Sequence, residues 1–193
     1  MPDDEIEQLV ARAREGEVAA FAALYEAFAP RIDRYLRHRV ADPMVAEDLL
    51  QKVFLKMIEA LPRYQSRGIP FAAWLFRLAH NAVIDERRTT HPRLPLEVAA
   101  DRPAETPDPE SAAASAFDGV LVRRALDDLR PDQREVVSCR FFAGLTPAET
   151  AHVMGRSEGA VRVLQHRALE ALHRRLATDG IVTARELGQA RLP

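Results

Sequence analysis

Between Trp74 and Arg88 the chain gathers Trp74, Arg77, His80, Asn81, Arg87 and Arg88. An indole stacks on a base, an amide donates and accepts at once, and guanidinium groups hold phosphate, so this mixture suits recognition of unpaired bases. Trp74 and Asn81 are seven residues apart, almost two helical turns, which sends both side chains from one face with Arg77 between them. The competing readings are structural: a lone tryptophan serves equally as core, and His80 has no second ligand at metal spacing.

A second cluster lies near the C-terminus. Glu158, Arg162, Gln165 and His166 share the outward face of the first turns of a predicted helix, the end from which a helix in a major groove reads base edges. Arg156, Arg167, Arg174 and Arg175 place positive charge along the same unit, where phosphates would lie. The stretch LTPAETAHVMGRSEGAVRVLQHRALEALHRRL, Leu145 to Leu176, supplies the elements that position them. Thr146, Pro147 and Glu149 form a capping box for a short helix, Gly155 ends it in the left-handed conformation, and Ser157 caps the next. The pattern predicts a helix-turn-helix. In the longer helix Val161, Leu164, Ala168, Leu172 and Leu176 form the packing stripe. An αα-hairpin with a solvated charged face is the alternative.

A third surface belongs to the helix opened by Asp42-Pro43, whose core stripe is Val45, Leu49, Val53, Met57 and Leu61. Asp48, Gln51 and Lys52, beside Phe54 and Leu55, give its outer face a mixed polar and apolar character that suits a protein partner. Periodicity alone describes an ordinary amphipathic helix. Before it, apolar residues from Ile6 to Leu36 keep helical spacing, broken at Gly16, and predict a helical pair. Arg31, Arg34, Arg37 and Arg39 are expected on the outer surface of its second member, either solvated or against DNA. From Val120 the helical period returns with Val122, Ala125, Leu126 and Leu129, and Pro131 opens a helix whose Val136, Val137, Phe141 and Phe142 would lie under the helix-turn-helix.

The chain has 193 residues, 47% of them hydrophobic, and a formal net charge of -2, so any nucleic-acid reading rests on where the cations sit. Residues 93–118 hold four prolines and six acidic residues against two arginines, a composition that predicts an extended, flexible acidic linker. The expected fold is all-α, with two small helical domains at 1–92 and 119–178, the second containing the helix-turn-helix, and a tail at 179–193. That tail would carry one short helix around Ala184 to Leu187. A single cysteine, Cys139, excludes an internal disulfide and reads as a buried thiol. The sequence presents no metal cluster, cofactor loop, carboxylate pair or nucleophile with its base, which argues against an enzyme. An acidic start with no following apolar run predicts neither leader nor membrane span, hence the cytoplasm.

Taken in order, these stretches resemble the extracytoplasmic-function (ECF) group of bacterial sigma factors. AEDLLQKVFLKMIEALPRY resembles the family's core-polymerase-binding helix, PFAAWLFRLAHNAVIDERR its promoter-melting and minus-ten-reading helix, and LRPDQREVVSCRFFAGLTPAETAHVMGRSEGAVRVLQHRAL its minus-thirty-five-reading domain. The resemblance implies a protein that binds core RNA polymerase and directs promoter-specific initiation, often under an anti-sigma factor. It assigns Asp48, Gln51, Lys52, Val53 and Phe54 to the polymerase. Trp74, Arg77, His80, Asn81, Arg87 and Arg88 fall to the melted minus-ten element, and Arg156, Ser157, Glu158, Arg162, Gln165, His166 and Arg167 to the minus-thirty-five groove. Within that set it makes Trp74 a wedge at the duplex edge and places Asn81 near a flipped base. The chain departs from the family pattern at Lys52, commonly Glu, at Thr150, usually Ile, and at Ala160 and Val163, commonly small hydroxyl residues. The same helix-turn-helix would serve a free-standing dimeric regulator of operator DNA, a reading that accounts for half the chain.

Overall fold

A computed structural model describes residues 1–66, 68–90 and 123–178, and every regular element among them is helical. The expected helical pair is α1 (Asp3–Arg14) and α2 (Val18–Arg37), separated where Gly16 takes φ 88°. Helix α3 (Pro43–Ala60) starts on Asp42, whose carboxylate accepts from the Met44 N–H at 2.9 Å with Pro43 in the first turn. A 3-10 turn, Leu61–Arg63, closes it. Helix α4 (Phe71–Thr90) follows. Residues 123–127 are helical and precede α5 (Pro131–Val137), which runs directly into a π-turn, Ser138–Phe142. The last two helices are α6 (Pro147–Met154) and α7 (Glu158–Thr178).

These elements divide into two compact units, Met1–Pro92 with Glu135–Val163, and Arg93–Arg134 with Leu164–Pro193. The first therefore contains α1 to α4 and also the π-turn and α6. Its core joins Leu24, Phe28 and Ile32 of α2, Leu49 and Met57 of α3, and Leu75 and Phe76 of α4 to Cys139, Ala143, Leu145 and Val153. In the second unit Ala125, Leu126, Leu129, Leu164 and Ala168 are buried. The expected linker at 93–118 and the short helix expected in the tail lie outside the described residues.

Two expectations are corrected here. The α2 arginines are not a free outer surface: Arg31 Nε donates to the Ala143 carbonyl at 3.0 Å, Arg34 Nε to the Phe142 carbonyl at 2.6 Å, and Arg39 is buried. Arg37 pairs within its own helix with Asp33 at 2.7 Å. Arg31 and Arg34 share a target, the C-terminal end of the π-turn, where carbonyls lack helical partners and attract cations. The π-turn also changes the expected scaffold. Val136 and Val137 are buried, but the wider turn that follows shifts the side-chain register, leaving Phe141 50% exposed. Phe142 stacks instead on His38, with ring centroids 3.4 Å apart.

Candidate nucleic-acid interface

Helix α4 is amphipathic, with Phe71, Leu75, Phe76, Ala79, Ala82 and Val83 turned into the core. Its polar side chains emerge on the remaining arc, and their surroundings differ. Trp74 is half-buried in an aromatic group, 4.7 Å from the Tyr64 ring and 5.4 Å from Phe71 between centroids. Asn81 and Arg88 are exposed. Arg87 donates to the Arg39 carbonyl at 3.1 Å. His80 turns toward α5 and Arg77 toward α6. Arg77 Nη1 donates to the carbonyls of His152 and Val153 at 3.1 and 2.5 Å, at the C-terminal end of α6.

His80 meets a group that no motif announced. Its Nδ1 lies 3.1 Å from Glu135 Oε1, and Arg39 Nη2 lies 2.5 Å from Oε2 of the same carboxylate. The Tyr35 hydroxyl donates to Oε1 at 2.7 Å, and the Cys139 thiol sits 3.4 Å from it. The Arg39 and Glu135 side chains are 3% and 4% exposed. Burial opposes the charge on Glu135, but the bond from His80, the charges of Arg39 and His80 and the Tyr35 hydroxyl outweigh it and bring the carboxyl down to about 2. Burial, reinforced by the Glu135 charge, pushes the Tyr35 phenol and the Cys139 thiol up. Only one hint of this existed in the sequence: Glu135 precedes Cys139 by four residues and so shares the face that α5 buries.

The helix-turn-helix is built as its caps predict. Thr146 Oγ1 accepts from the Glu149 N–H at 3.2 Å while Glu149 accepts from the Thr146 N–H at 2.7 Å. Gly155 ends α6 with φ 63° and ψ 39°. Ser157 Oγ then accepts from the Ala160 N–H at 3.2 Å and caps α7. Val161, Leu164 and Ala168 are buried, while Arg156, Ser157, Glu158, Arg162, His166 and Arg167 are exposed and Gln165 is half-exposed. Arg162 is tied to Glu158 one turn back at 2.5 Å, and His166 approaches Glu170 at 3.3 Å. Such exposed pairs are worth roughly 0–1 kcal/mol and release their cations cheaply to phosphate or a base edge. Thr150, where the family usually has Ile, is fully buried and its hydroxyl has no hydrogen-bond partner.

On α3, Asp48, Gln51 and Lys52 are exposed, with Lys52 Nζ 3.9 Å from Glu86. Val53, a member of the expected core stripe, is 0% exposed, and Phe54, expected on the outer face, is 6% exposed and packs on Tyr25 at 4.6 Å. The apolar groups that this helix does expose are Met44, Leu55 and Ile58.

No group of three or more His, Cys, Asp or Glu side chains among the described residues is arranged to hold a metal ion, and no described helix is long and apolar enough to cross a membrane. The model of sigma-70 region 2 matches residues 24–92, and that of sigma-70 region 4 matches residues 125–174. The ECF RNA polymerase sigma factor BldN of Streptomyces coelicolor is 36% identical over 174 residues, 89% of this chain and 66% of that longer relative. The ECF RNA polymerase sigma factor ShbA of Streptomyces griseus is 38% identical over 185 residues, 89% of this chain and 97% of its own. Among solved structures, that of CnrH in complex with the cytosolic domain of CnrY matches with a TM-score of 0.70 and 25% identity over 89% of this chain and 96% of that one.

Proposed function

The chain belongs to the ECF sigma factors, which direct transcription initiation by bacterial RNA polymerase, and on that premise we propose how its surfaces divide the work. Helix α3 engages core polymerase through Asp48, Gln51 and Lys52 together with the exposed Leu55 and Ile58. Helix α4 acts on the melted minus-ten element. Trp74 caps the duplex edge, Asn81 bonds an extruded base, and Arg77, His80, Arg87 and Arg88 hold the strand around them. Helix α7 reads the minus-thirty-five groove, with Arg162, Gln165 and His166 toward bases, Ser157 and Glu158 at its start, and Arg156 and Arg167 toward phosphates.

The observation that supports this reading best is the exposed polar face of α7 behind two satisfied caps, because a helix held rigidly at its start can carry side chains into a groove. Regions 1–92 and 119–178 are the two promoter-binding modules, 93–118 the tether and 179–193 a tail. The partners are core polymerase, promoter DNA and a restraining anti-sigma factor. The protein works in the cytoplasm without cofactor, and the nucleotide chemistry belongs to the polymerase.

Transcription reconstituted from core polymerase, the full chain and a promoter library tests the proposal. Trp74→Ala should still assemble with polymerase but lose transcription from closed duplex, with rescue on templates mismatched over the minus-ten bases. Asn81→Ala should keep melting and blur base preference. Dimeric binding to duplex by the chain alone, with no transcription when core is added, would favour the operator-binding regulator. Unfolding of Trp74→Ala, or failure of premelted templates to restore it, removes the wedge role.

A further inference from the structure

Helix α7 carries an apolar patch that its packing does not use. Val161 is fully buried, and the residues two positions to either side of it, Gly159 and Val163, fall on the opposite face of the helix. Among the described residues of α7, Val163 is the large apolar side chain left exposed, at 52%. Ala160, one turn before it, is exposed as well, and a Cβ added at Gly159 would meet nothing within 4 Å. Glycine and a β-branched residue are both weaker helix formers than the alanine or straight-chain residues that an exposed position accepts. Nothing packed against Gly159 requires the missing Cβ. The patch is also small: the side chains of Ala160 and Val163 and the bare Cα of Gly159, bordered by Arg162 and Glu158, which pair at 2.5 Å. A protein partner needs a far larger apolar area, but a single methyl group fits one valine. In the major groove thymine is the base that offers an apolar group, its C5-methyl.

We propose that Val163 is a specificity-determining residue that reads the C5-methyl of one thymine in the minus-thirty-five element, and that Gly159, by lacking a side chain, lets the helix lie close enough for that contact. This rests on the reading of α7 as the groove helix. The division of labour follows from chemistry. Arg162, the next residue back, takes a hydrogen-bonding edge or a phosphate, while Val163 takes the methyl group. A cytosine or a purine at that position sets the valine against polar groups it cannot bond, so the site discriminates against them. A serine at 163 would bond to either base pair and impose no such preference.

The test uses holoenzyme assembled from core polymerase and the full chain, on a duplex promoter selected from a library randomised over the minus-thirty-five bases. Each thymine of that element, on either strand, is replaced in turn by deoxyuridine, which keeps every hydrogen-bonding group and loses only the methyl. One such replacement should weaken binding about fourfold, the effect of removing one methyl group from an apolar contact. In Val163→Ser the same replacement should change nothing, and because Val163 is exposed the variant should unfold in urea as wild type does. Gly159→Ala should raise stability yet weaken promoter binding, a split that a merely structural glycine would not give. A deoxyuridine effect equally large in Val163→Ser assigns the methyl to another residue and overturns the proposal, as does an element in which no thymine methyl matters. Arg162→Ala separates this claim from the reading beneath it. Weakened minus-thirty-five binding there, beside no methyl effect, removes Val163 alone, whereas unchanged binding in both Arg162→Ala and Val163→Ser removes α7 from the groove.

Discussion

Replacing Glu135 by glutamine keeps volume and removes charge, so it isolates what the buried carboxylate contributes. Its carboxyl stands at about 2 in the folded chain against an ordinary 4.5. Each pH unit of that separation is worth roughly 1.4 kcal/mol, giving about 3 kcal/mol of stability at neutral pH. Because the folded value is the lower one, the unfolded chain binds this proton more readily. The contribution is therefore complete above about pH 5 and disappears as the pH falls toward about 2. A second route leads to a similar figure. The Arg39 side chain is 3% exposed, and a buried charge that loses its partner costs about 3–5 kcal/mol. Urea unfolding followed by Trp74, the only tryptophan in the chain, reports on the unit that contains both residues. The difference between wild type and Glu135→Gln should be about 3 kcal/mol at pH 7 and should narrow steadily between pH 5 and pH 3. Glu135→Leu combined with Arg39→Met should recover much of the loss, since an apolar pair of similar volume leaves no charge behind. A difference that is absent at pH 7, or equally large at pH 3, would show that the charge is not what stabilises this cluster.

Three further outcomes follow from single sites. Thr150→Val swaps a buried hydroxyl without a partner for a methyl of the same shape and should stabilise the chain by about 1 kcal/mol or more in denaturant unfolding; destabilisation would mean that the hydroxyl is satisfied. Gly155→Ala places an L side chain at φ 63° and should cost about 1–2 kcal/mol, with loss of minus-thirty-five binding in proportion to the misplaced α7; a neutral result would mean that the turn relaxes freely. Arg162→Ala should weaken minus-thirty-five binding, by about 1–3 kcal/mol with relaxed preference at one base if it reads an edge, or uniformly if it holds phosphate. No loss at all would take Arg162 out of the groove.

What was legible in the sequence was what local backbone chemistry decides. Thr146, Glu149, Gly155 and Ser157 specify their bonds within a few residues, so the helix-turn-helix could be placed from its caps alone, and Asp42-Pro43 did the same for α3. Exposure on α7 followed from period because its apolar stripe is clean: Val161, Leu164 and Ala168 are buried and Arg162 and His166 are not. Helix α3 was harder. Phe54 lies on the edge of the stripe, where it is buried and packs on Tyr25 of α2, whereas Leu55, one residue on, is exposed.

The charged residues mark the limit of such reasoning. A helical period sorts apolar from polar, and so places arginines and glutamates outside by default. That default failed at Arg39 and Glu135, and for one reason. Each is placed by the other across about 100 residues of chain, a distance over which no periodicity carries information. Arg77 is the more instructive case, because both readings of it use the same chemistry. A guanidinium on α4 suits a phosphate, and the carbonyls at the end of α6 suit a guanidinium. A sequence that predicts an anion-binding arginine therefore also predicts a site where the chain's own carbonyl ends can dock. Which partner occupies it depends on competition between a tethered weak acceptor and a free strong one, and that balance is a property of the whole fold.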